Sequence, residues 1–356
     1  MSTEFNIGKK LVGLNHPTFF VADIAANHDG DIERAKELIH LCAESGVDAA
    51  KFQNFTAKTL VSSVGFDNLG EQRTHQATWK KSVYEVYDDA SIPLDWTKIL
   101  KETCDTVGIE YFTSPYDLEL VDYLLPYVCA WKLGSGDITW HEEIERLSSD
   151  NIPLLIATGA SDIDEVKLAV NIAKKNTSQI VLMQCNTNYT GSTDNFKYIS
   201  LNVLKTYKKM FPDVILGLSD HTLGNVTVLG SVALGARVIE KHFTDDTNRS
   251  GSDHPFSMDP NSWREMVDRT RELEDSLGVK DKNVMDNEKE TIIVQRRSIC
   301  AKDDISKGKI LTKDDLTYLR PCPRNALPPY RYNELLGKKI LRNVKSGEHI
   351  LISDIE

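Results

Sequence analysis

The stretches VILGLSDHTLG (residues 214–224) and GARVIEKHFT (residues 235–244) each carry a short apolar run that ends on a histidine, His221 or His242. Apolar runs this short, bounded by glycine or polar residues, are typical of buried strands. If the two strands are neighbours in a parallel sheet, both imidazoles lie at its carboxyl edge. A pair of imidazoles suits Mn, Fe, Co or Zn and leaves further positions for water or substrate. Two unrelated core or surface histidines are the alternative.

Similar apolar runs recur through the first 245 residues, and helix-like segments such as 31–47 separate most of them. Strands that are apolar throughout and alternate with helices predict a parallel sheet. Eight such units in about 250 residues favour a closed (β/α)8 TIM barrel over an open sheet. The connection 56–95 is long, and we expect it to lie over one rim of the barrel. The eight predicted strands are 19–25, 49–55, 109–115, 130–136, 153–159, 180–186, 214–220 and 237–243.

The composition excludes several classes of protein. The chain has 356 residues and a formal net charge of −11, which argues against binding to nucleic acid or to an anionic membrane. Its first residues lack the basic start and apolar core of a signal peptide, and no apolar run approaches the ~20 residues of a membrane span. Six cysteines without a CxxC pair suit reduced thiols. We therefore expect a cytoplasmic protein.

The carboxyl-terminal part of the chain differs from the rest. We predict a barrel domain over 1–280, a charged linker over 281–295 and a small domain of short strands and turns over 296–356. Two segments of this small domain resemble each other, ISKGKILTKDDL (305–316) and VKSGEHILISDI (344–355). About 60 residues bury too little surface for high stability, so packing on a partner subunit would help.

Lysines occur inside two of the predicted strands, at Lys51 and Lys132. A buried lysine is costly unless an anion accompanies it. One explanation is a salt bridge to a carboxylate of the barrel. The other is a site for a phosphate or carboxylate ligand, with hydroxyl donors from Ser114, Ser135 and Ser219 at other strand ends.

Several motifs together resemble one known family, the sialic acid synthases, which are the bacterial N-acetylneuraminate synthases and their relatives. In chain order the motifs are ADIAANHDGDIERAKELI, DAAKFQNF, YFTSPYD, WKLGSGD, IATGASDIDEV, GLSDHTLG and VIEKHFTDDTNRSGSDH. The tail is similar to the antifreeze-like (SAF) domain of that family. The resemblance covers nearly the whole chain, and it implies a TIM barrel followed by a SAF domain of the β-clip type.

The resemblance also implies an activity. Phosphoenolpyruvate would condense with an open-chain 2-acetamido sugar, either N-acetylmannosamine or a 2,4-diacetamido-6-deoxyhexose. The products would be a nonulosonic acid and phosphate. A divalent metal, Mn²⁺ or Mg²⁺, would be held by His221 and His242 and would polarise the sugar aldehyde.

Matching positions then receive roles by resemblance. Arg320 matches an arginine that reaches into the partner subunit, which implies a domain-swapped homodimer. The remaining positions fall into a phosphoenolpyruvate site, a catalytic group and a sugar site. They are Lys51, Ser114, Lys132, Ser135, Thr187 and Ser219 for phosphoenolpyruvate; Asp23, Gln53 and Asp137 for catalysis; and Tyr189, Asp253 and Arg320 for the sugar.

The chain departs from the family pattern at Asp23 and Asp137, where relatives carry glutamate, and at Thr187, where they carry Asn or Ser. These changes indicate a divergent member, and both N-acetylmannosamine and a 2,4-diacetamido-6-deoxyhexose stay open as the acceptor. Three other functions remain open. They are a phosphoenolpyruvate-condensing synthase of another 3-deoxy sugar acid, an aldolase that uses Lys132 or Lys51 as a Schiff base, and a non-catalytic carbohydrate-binding protein.

Overall fold

The computed structural model describes residues 3–356, which form two compact units that meet in sequence between Gly278 and Val279. The first unit begins with an antiparallel hairpin of β1 (Glu4–Ile7) and β2 (Lys10–Gly13). Sequence patterns did not predict this hairpin, because its strands have only four residues each. Its buried side chains join the apolar cluster inside the barrel that follows.

Eight parallel strands close into a barrel, so the predicted fold is confirmed. Each of the eight predicted runs overlaps one strand. Closure joins the last strand to the first, and His242 pairs in register with Asp23. The strands are β3 (Phe19–Asp23), β4 (Ala49–Asn54), β5 (Glu110–Pro115), β6 (Trp131–Leu133), β7 (Leu154–Ala157), β8 (Ile180–Cys185), β9 (Ile215–Asp220) and β10 (Ala236–His242).

Helices follow the strands and bury their apolar faces against the outside of the barrel. The first begins at Asp31, whose carboxylate accepts hydrogen bonds from the free amides of the first turn. Its buried apolar residues Ala35, Leu38, Ile39 and Cys42 recur at helical spacing. The helices of this unit are α1 (Ile32–Glu44), α2 (Ala57–Leu60), α3 (Ser63–Asn68), α4 (Val83–Ala90), α5 (Trp96–Val107), α6 (Leu118–Leu124), α7 (His141–Ser148), α8 (Ile163–Ala173), α9 (Val203–Met210), α10 (Val226–Ala233) and α11 (Pro260–Leu277).

Residue alternation along the strands positions the polar side chains. Successive strand residues point to opposite faces. Phe19 and Val21 of β3 belong to the cluster inside the barrel, whereas Phe20 and Ala22 belong to the layer under the helices. The next inward position on β3 is therefore Asp23. The same two-residue step leads from inward apolar residues to polar ones on β4, β6 and β10.

The long connection 56–95 carries α2, α3 and α4, as the sequence predicted for an insertion at one rim. We call it the covering segment. α2 and α4 begin with capping boxes, in which Thr56 and Ser82 exchange hydrogen bonds with the residue three positions later. These caps stabilise short helices that have few buried residues of their own.

One buried carboxyl in α7 lacks a partner. Glu143 is 1% exposed, and its Oε2 accepts no hydrogen bond from residues 3–356. Burial, reinforced by repulsion from Asp137, raises the pKa of Glu143 from 4.5 to about 9. The folded protein therefore holds a proton on Glu143 at neutral pH.

We expect Glu143→Gln to stabilise the protein near pH 8 and to change little near pH 4. The unfolded carboxyl ionises near 4.5 and the folded one near 9, so folding stability falls as the pH rises between these values. Glutamine removes that loss, which is about 5 kcal/mol at pH ~8. Urea unfolding at both pH values measures the gain, with the exposed neighbour variant Glu142→Gln as control. Equal gains at both pH values would contradict the ionisation argument.

The second unit contains α12 (Lys289–Gln295) and an antiparallel pair, β11 (Ser298–Ala301) and β12 (Leu316–Leu319), around a small apolar core. The two similar segments noted in the sequence adopt similar structures. Each has a glycine with positive φ, Gly308 or Gly347, followed by a 3₁₀ turn. Within residues 3–356, no helix is both long and apolar enough to cross a membrane.

Candidate active site

The first unit has a cavity of about 350 Å³ at the carboxyl ends of its strands, a size typical of small-molecule sites. Both histidines and both in-strand lysines line it. The cavity brings together most of the residues that the sequence singled out. They are Asp23, Lys51, Gln53, Lys132, Ser135, Asp137, Thr187, Tyr189, Ser219, His221, His242 and Asp253.

Two predicted residues do not line this cavity. Ser114 is buried on β5, in register with Gln53 of the neighbouring strand, but it is not among the lining residues. Arg320 follows β12 in the second unit. Its role toward a partner subunit stays a prediction.

Both in-strand lysines pair with barrel carboxylates. Lys51 Nζ lies 2.6 Å from Asp23, and Lys132 Nζ lies 3.5 Å from Glu240. The salt-bridge explanation is therefore correct for both, yet both also face the cavity. Burial alone would lower the pKa of Lys51, but attraction from Asp23 and Glu240 outweighs burial and raises it. Lys51 is thus an ammonium ion at neutral pH, suited to holding an anion and unsuited to forming an imine.

Hydroxyl groups stand beside the lysines. Ser219 Oγ donates to Glu240 Oε1 at 3.1 Å, and Ser135 Oγ accepts from the amide of Gly159 at 3.0 Å. A side chain at Gly159 would collide with Thr187 Oγ1 and Ser135 Oγ. The missing side chain therefore lets two hydroxyl groups converge, and Ser135 keeps its proton for donation to a ligand oxygen.

The two histidines at the ends of β9 and β10 are neighbours, with ring centroids 5.4 Å apart. His221 Nδ1 donates to the carbonyl oxygen of Asn186 at 3.0 Å, which leaves Nε2 as a free lone pair. His242 Nδ1 is buried without a hydrogen-bond partner among residues 3–356. Burial, together with the positive charge of Lys51, lowers the pKa of His242 well below its ordinary value.

The chemistry of these imidazoles suits a divalent cation, because a neutral ring with a buried, unpartnered nitrogen can donate its lone pair to a metal. No cluster of three or more His, Cys, Asp or Glu side chains suited to a metal occurs in the described part of the chain. A cation held between these two rings would have two nitrogen ligands from the protein, and water or substrate would complete the coordination.

The two aspartates that replace glutamate differ in environment. Both carboxylate oxygens of Asp23 have partners. Its Oδ1 accepts a hydrogen bond from the amide of Ala25 at 3.1 Å, and its Oδ2 forms an ion pair with Lys51. The carboxylate of Asp137 forms no ion pair within residues 3–356. Burial raises the pKa of Asp137 to about 6, although Lys132 acts in the opposite direction. Asp137 is therefore the carboxyl that can exchange a proton near neutral pH.

Sequence reasoning assigned no role to several residues of the site. Glu240 pairs with Lys132 across the cavity, and its position two residues before His242 was a usable signal. The covering segment adds His75, Trp79 and Tyr87 to the lining. The only sequence signal for these three residues was the length of the covering segment, since its sequence carries no strand pattern.

Comparison with known proteins decides the family. A model of the NeuB family matches residues 38–282, and a model of the SAF domain matches residues 296–356. The chain belongs to the NeuB family. It is 33% identical to N,N'-diacetyllegionaminic acid synthase of Legionella pneumophila, over 98% of both chains. It is 32% identical to human N-acetylneuraminate-9-phosphate synthase, over 96% of this chain and 94% of that one.

A solved structure agrees with this membership. The crystal structure of N-acetylneuraminic acid (sialic acid) synthetase from Leptospira borgpetersenii in complex with citrate superimposes with a TM-score of 0.71 and 27% identity. The match covers 82% of this NeuB-family chain and 96% of that one. The chain is thus a member of a family of sugar acid synthases, with the barrel and SAF domain expected from its motifs.

Proposed function

We propose that this NeuB-family protein condenses phosphoenolpyruvate with an open-chain amino-sugar aldehyde and yields a nonulosonic acid and inorganic phosphate. One observation carries the proposal. Two buried lysines and converging serine and threonine hydroxyls line the same cavity as a pair of adjacent imidazoles. The relatives named as legionaminic, pseudaminic and neuraminic acid synthases support it.

The lysines and hydroxyls provide the site for phosphoenolpyruvate. Its phosphate and carboxylate carry up to three negative charges, and Lys51 and Lys132 supply opposite charge in a buried setting. Lys132 is held less tightly than Lys51, since its carboxylate is 3.5 Å away. We therefore assign Lys132, Ser135 and Thr187 to the phosphate end.

The imidazoles and the remaining polar groups serve the sugar. His221 and His242 would hold a divalent metal, Mn²⁺ or Mg²⁺, which supplies Lewis-acid polarisation of a carbonyl oxygen. Asp253 binds sugar hydroxyls beside His242, where its Oδ2 lies 4.0 Å from the ring Nδ1. Gln53 donates to Asp23 Oδ2 at 3.3 Å and so orients the carboxylate next to Lys51.

The reaction needs proton transfers as well as charge. The methylene carbon of phosphoenolpyruvate forms a bond to the aldehyde carbon, whose oxygen takes up a proton and becomes a hydroxyl. Water then loses a proton and adds at the adjacent carbon, which bears the phosphate oxygen, and the bond from that adjacent carbon to the phosphate oxygen breaks to leave a ketone and inorganic phosphate. We assign to Asp137 the removal of the proton from the attacking water.

If Asp137 is that base, Asp137→Asn lowers kcat by about 10²- to 10⁴-fold. The wild-type enzyme also gains activity as the pH rises through about 6, because the folded pKa of Asp137 lies there and only its ionised form accepts a proton. The variant loses this rise. A pH profile of kcat/KM for both proteins measures it, and an unchanged acid limb in Asp137→Asn would assign the rise to another group.

Phosphate release from phosphoenolpyruvate tests the proposed function as a whole. We expect release to require both an amino sugar and a divalent metal. Borohydride treatment in the presence of pyruvate separates this function from a Schiff-base aldolase, which would be trapped covalently at Lys51 or Lys132. Covalent trapping, or release that is independent of the sugar, contradicts the proposal. Turnover of a phosphorylated aldose that lacks an acetamido group would favour the other 3-deoxy sugar acid synthases.

The family resemblance further supports a homodimer in which Arg320 serves the cavity of the partner subunit. We expect a mixture of Arg320→Ala and His242→Ala proteins to recover about a quarter of wild-type activity after subunit exchange. In such heterodimers one cavity combines an intact barrel with an intact arginine. Absence of recovery, despite a mixed dimer confirmed by mass spectrometry, would contradict action across the interface.

A further inference from the structure

A second, smaller cavity of about 150 Å³ lies at the amino ends of the barrel strands, on the side opposite to the candidate active site. Ile215 is the first residue of β9, Arg237 is the second residue of β10, and both line it. We call it the amino-end cavity. Because TIM-barrel enzymes carry out their chemistry at the carboxyl ends of the strands, this cavity is separate from the proposed reaction. An inference about it does not depend on the proposed function.

A buried guanidinium group lines the amino-end cavity. Arg237 is 8% exposed. Its Nε donates to the carbonyl oxygen of Leu14 at 3.1 Å, and its Nη1 donates to the carbonyl oxygens of Val232 at 3.1 Å and Ala236 at 2.6 Å. All three acceptors are neutral, and Nη2 forms no hydrogen bond within residues 3–356. Arg237 therefore keeps donor capacity for a ligand.

The charge of Arg237 has no carboxylate partner in the part of the chain that the structure describes. Glu274 attracts it from a distance, but Glu274 accepts hydrogen bonds from the amide of Thr18 at 2.6 Å and from Arg271 at 2.8 Å. Burial lowers the pKa of Arg237, and the attraction from Glu274 does not fully offset this. A guanidinium nonetheless stays protonated at neutral pH. Its buried charge is therefore unfavourable until an anion accompanies it.

A second cation lies at the edge of the cavity. Lys208 of α9 is exposed and lines it, and a Cβ atom added to Gly235 would lie 3.7 Å from Lys208 Nζ. Asp213, the acid next in sequence to two lining residues, already pairs with Lys174 at 2.5 Å. The described lining residues of this cavity thus include two cations and no acid. Such a site attracts an anion.

The rest of the wall is mostly apolar, which narrows the class of anion. Apolar cavities of about 150 Å³ accommodate a benzene ring. An inorganic phosphate or sulfate ion would gain nothing from such a wall, whereas an organic anion would bury apolar surface against it. The apolar members of the wall are Leu14, Phe211, Pro212, Val214, Ile215 and Leu216.

We propose that the amino-end cavity is a binding site for a small organic carboxylate whose apolar body is about the size of a benzene ring. The carboxylate accepts hydrogen bonds from Arg237 and is attracted by Lys208, since carboxylate and guanidinium groups form charge-assisted hydrogen bonds. The apolar body packs against the side chains contributed by α9 and β9. The site is distinct in position and in lining residues from the cavity that holds His221 and His242.

Titration with 4-fluorobenzoate, followed by ¹⁹F NMR, tests the proposal on the full chain. We expect saturable binding with a Kd of about 1 mM. 4-Fluorobenzyl alcohol keeps the ring but lacks the charge, and it should bind at least about tenfold more weakly. Inorganic phosphate at an equal concentration should not displace 4-fluorobenzoate. Absence of saturable binding, equal binding of the alcohol, or displacement by phosphate would overturn the proposal.

A pair of neighbouring lysine variants locates the binding. Lys208 and Lys209 are both exposed on α9, but only Lys208 lines the amino-end cavity. We expect Lys208→Glu to weaken the binding of 4-fluorobenzoate by about tenfold, because it reverses a charge at the site, and Lys209→Glu to leave the binding within about twofold. Equal weakening in both variants would contradict a local site and reduce the effect to net charge.

Two further variants separate this cavity from the candidate active site. Arg237→Met should abolish binding of 4-fluorobenzoate, and circular dichroism checks that the variant is folded. The lysine pair decides the question if it is not, because Arg237 also bonds to three carbonyl groups. Lys132→Met lacks a cation of the active-site cavity and should bind 4-fluorobenzoate as the wild type does. Loss of binding in Lys132→Met would place the ligand in the active-site cavity and overturn the proposal.

Discussion

Replacement of His242 by alanine is expected to lower turnover by about 10³-fold or more while the protein stays folded. A Lewis acid stabilises developing charge by several kcal/mol, and each 1.4 kcal/mol is about tenfold in rate. His242 is buried at the end of β10, and its Nδ1 forms no hydrogen bond among residues 3–356, so alanine removes ring contacts with Tyr189 and Phe256 but no hydrogen bond at Nδ1. Calorimetry with Mn²⁺ should show weaker binding, and steady-state phosphate release should show the loss of rate.

The matched control is His40→Ala, which removes an exposed imidazole from α1. It should bind Mn²⁺ and turn over as the wild type does. Circular dichroism and thermal unfolding confirm that each variant is folded. Full activity of the wild type in excess chelator, or unchanged Mn²⁺ affinity in His242→Ala, would remove the metal from the proposal.

The second large effect is expected for Lys132→Met. Loss of a buried charge that contacts an anion costs about 2–4 kcal/mol, which is about 30- to 700-fold in affinity. We therefore expect a rise of this size in the KM for phosphoenolpyruvate, with a much smaller change for the sugar. Glu240 keeps its hydrogen bond from Ser219 but loses its ion-pair partner, so the free energy of unfolding should also fall.

Lys241→Met is the control for a buried lysine with a purely structural role. Lys241 Nζ contacts Asp220 at 2.5 Å and is 2% exposed, but it does not line the cavity. Its loss removes the ion-pair partner of Asp220, which keeps hydrogen bonds from Thr222 and Thr227, and should lower the free energy of unfolding by about 3 kcal/mol. The KM for phosphoenolpyruvate should stay within about threefold of wild type. If both lysine variants raise this KM equally, the effect of Lys132 is structural.

Much of this site could be predicted because strand patterns are local. An apolar run of five to seven residues identifies a strand. Because every second side chain of a strand points to the same face, an inward Val238 places Glu240 and His242 on the inward face as well. Once eight such strands are placed in a parallel barrel, their carboxyl ends share one rim. The motifs around these ends then indicated the family.

The sequence by itself determined the barrel strands, the two histidines at adjacent strand ends and the lysines that face inward. Only the tertiary structure decided which groups meet. Barrel closure and strand register pair Lys132 with Glu240 and Lys51 with Asp23, and the members of each pair are far apart in sequence. Docking of the covering segment brings His75 onto Tyr189. Such contacts depend on side-chain packing between distant segments, and no local periodicity encodes that packing.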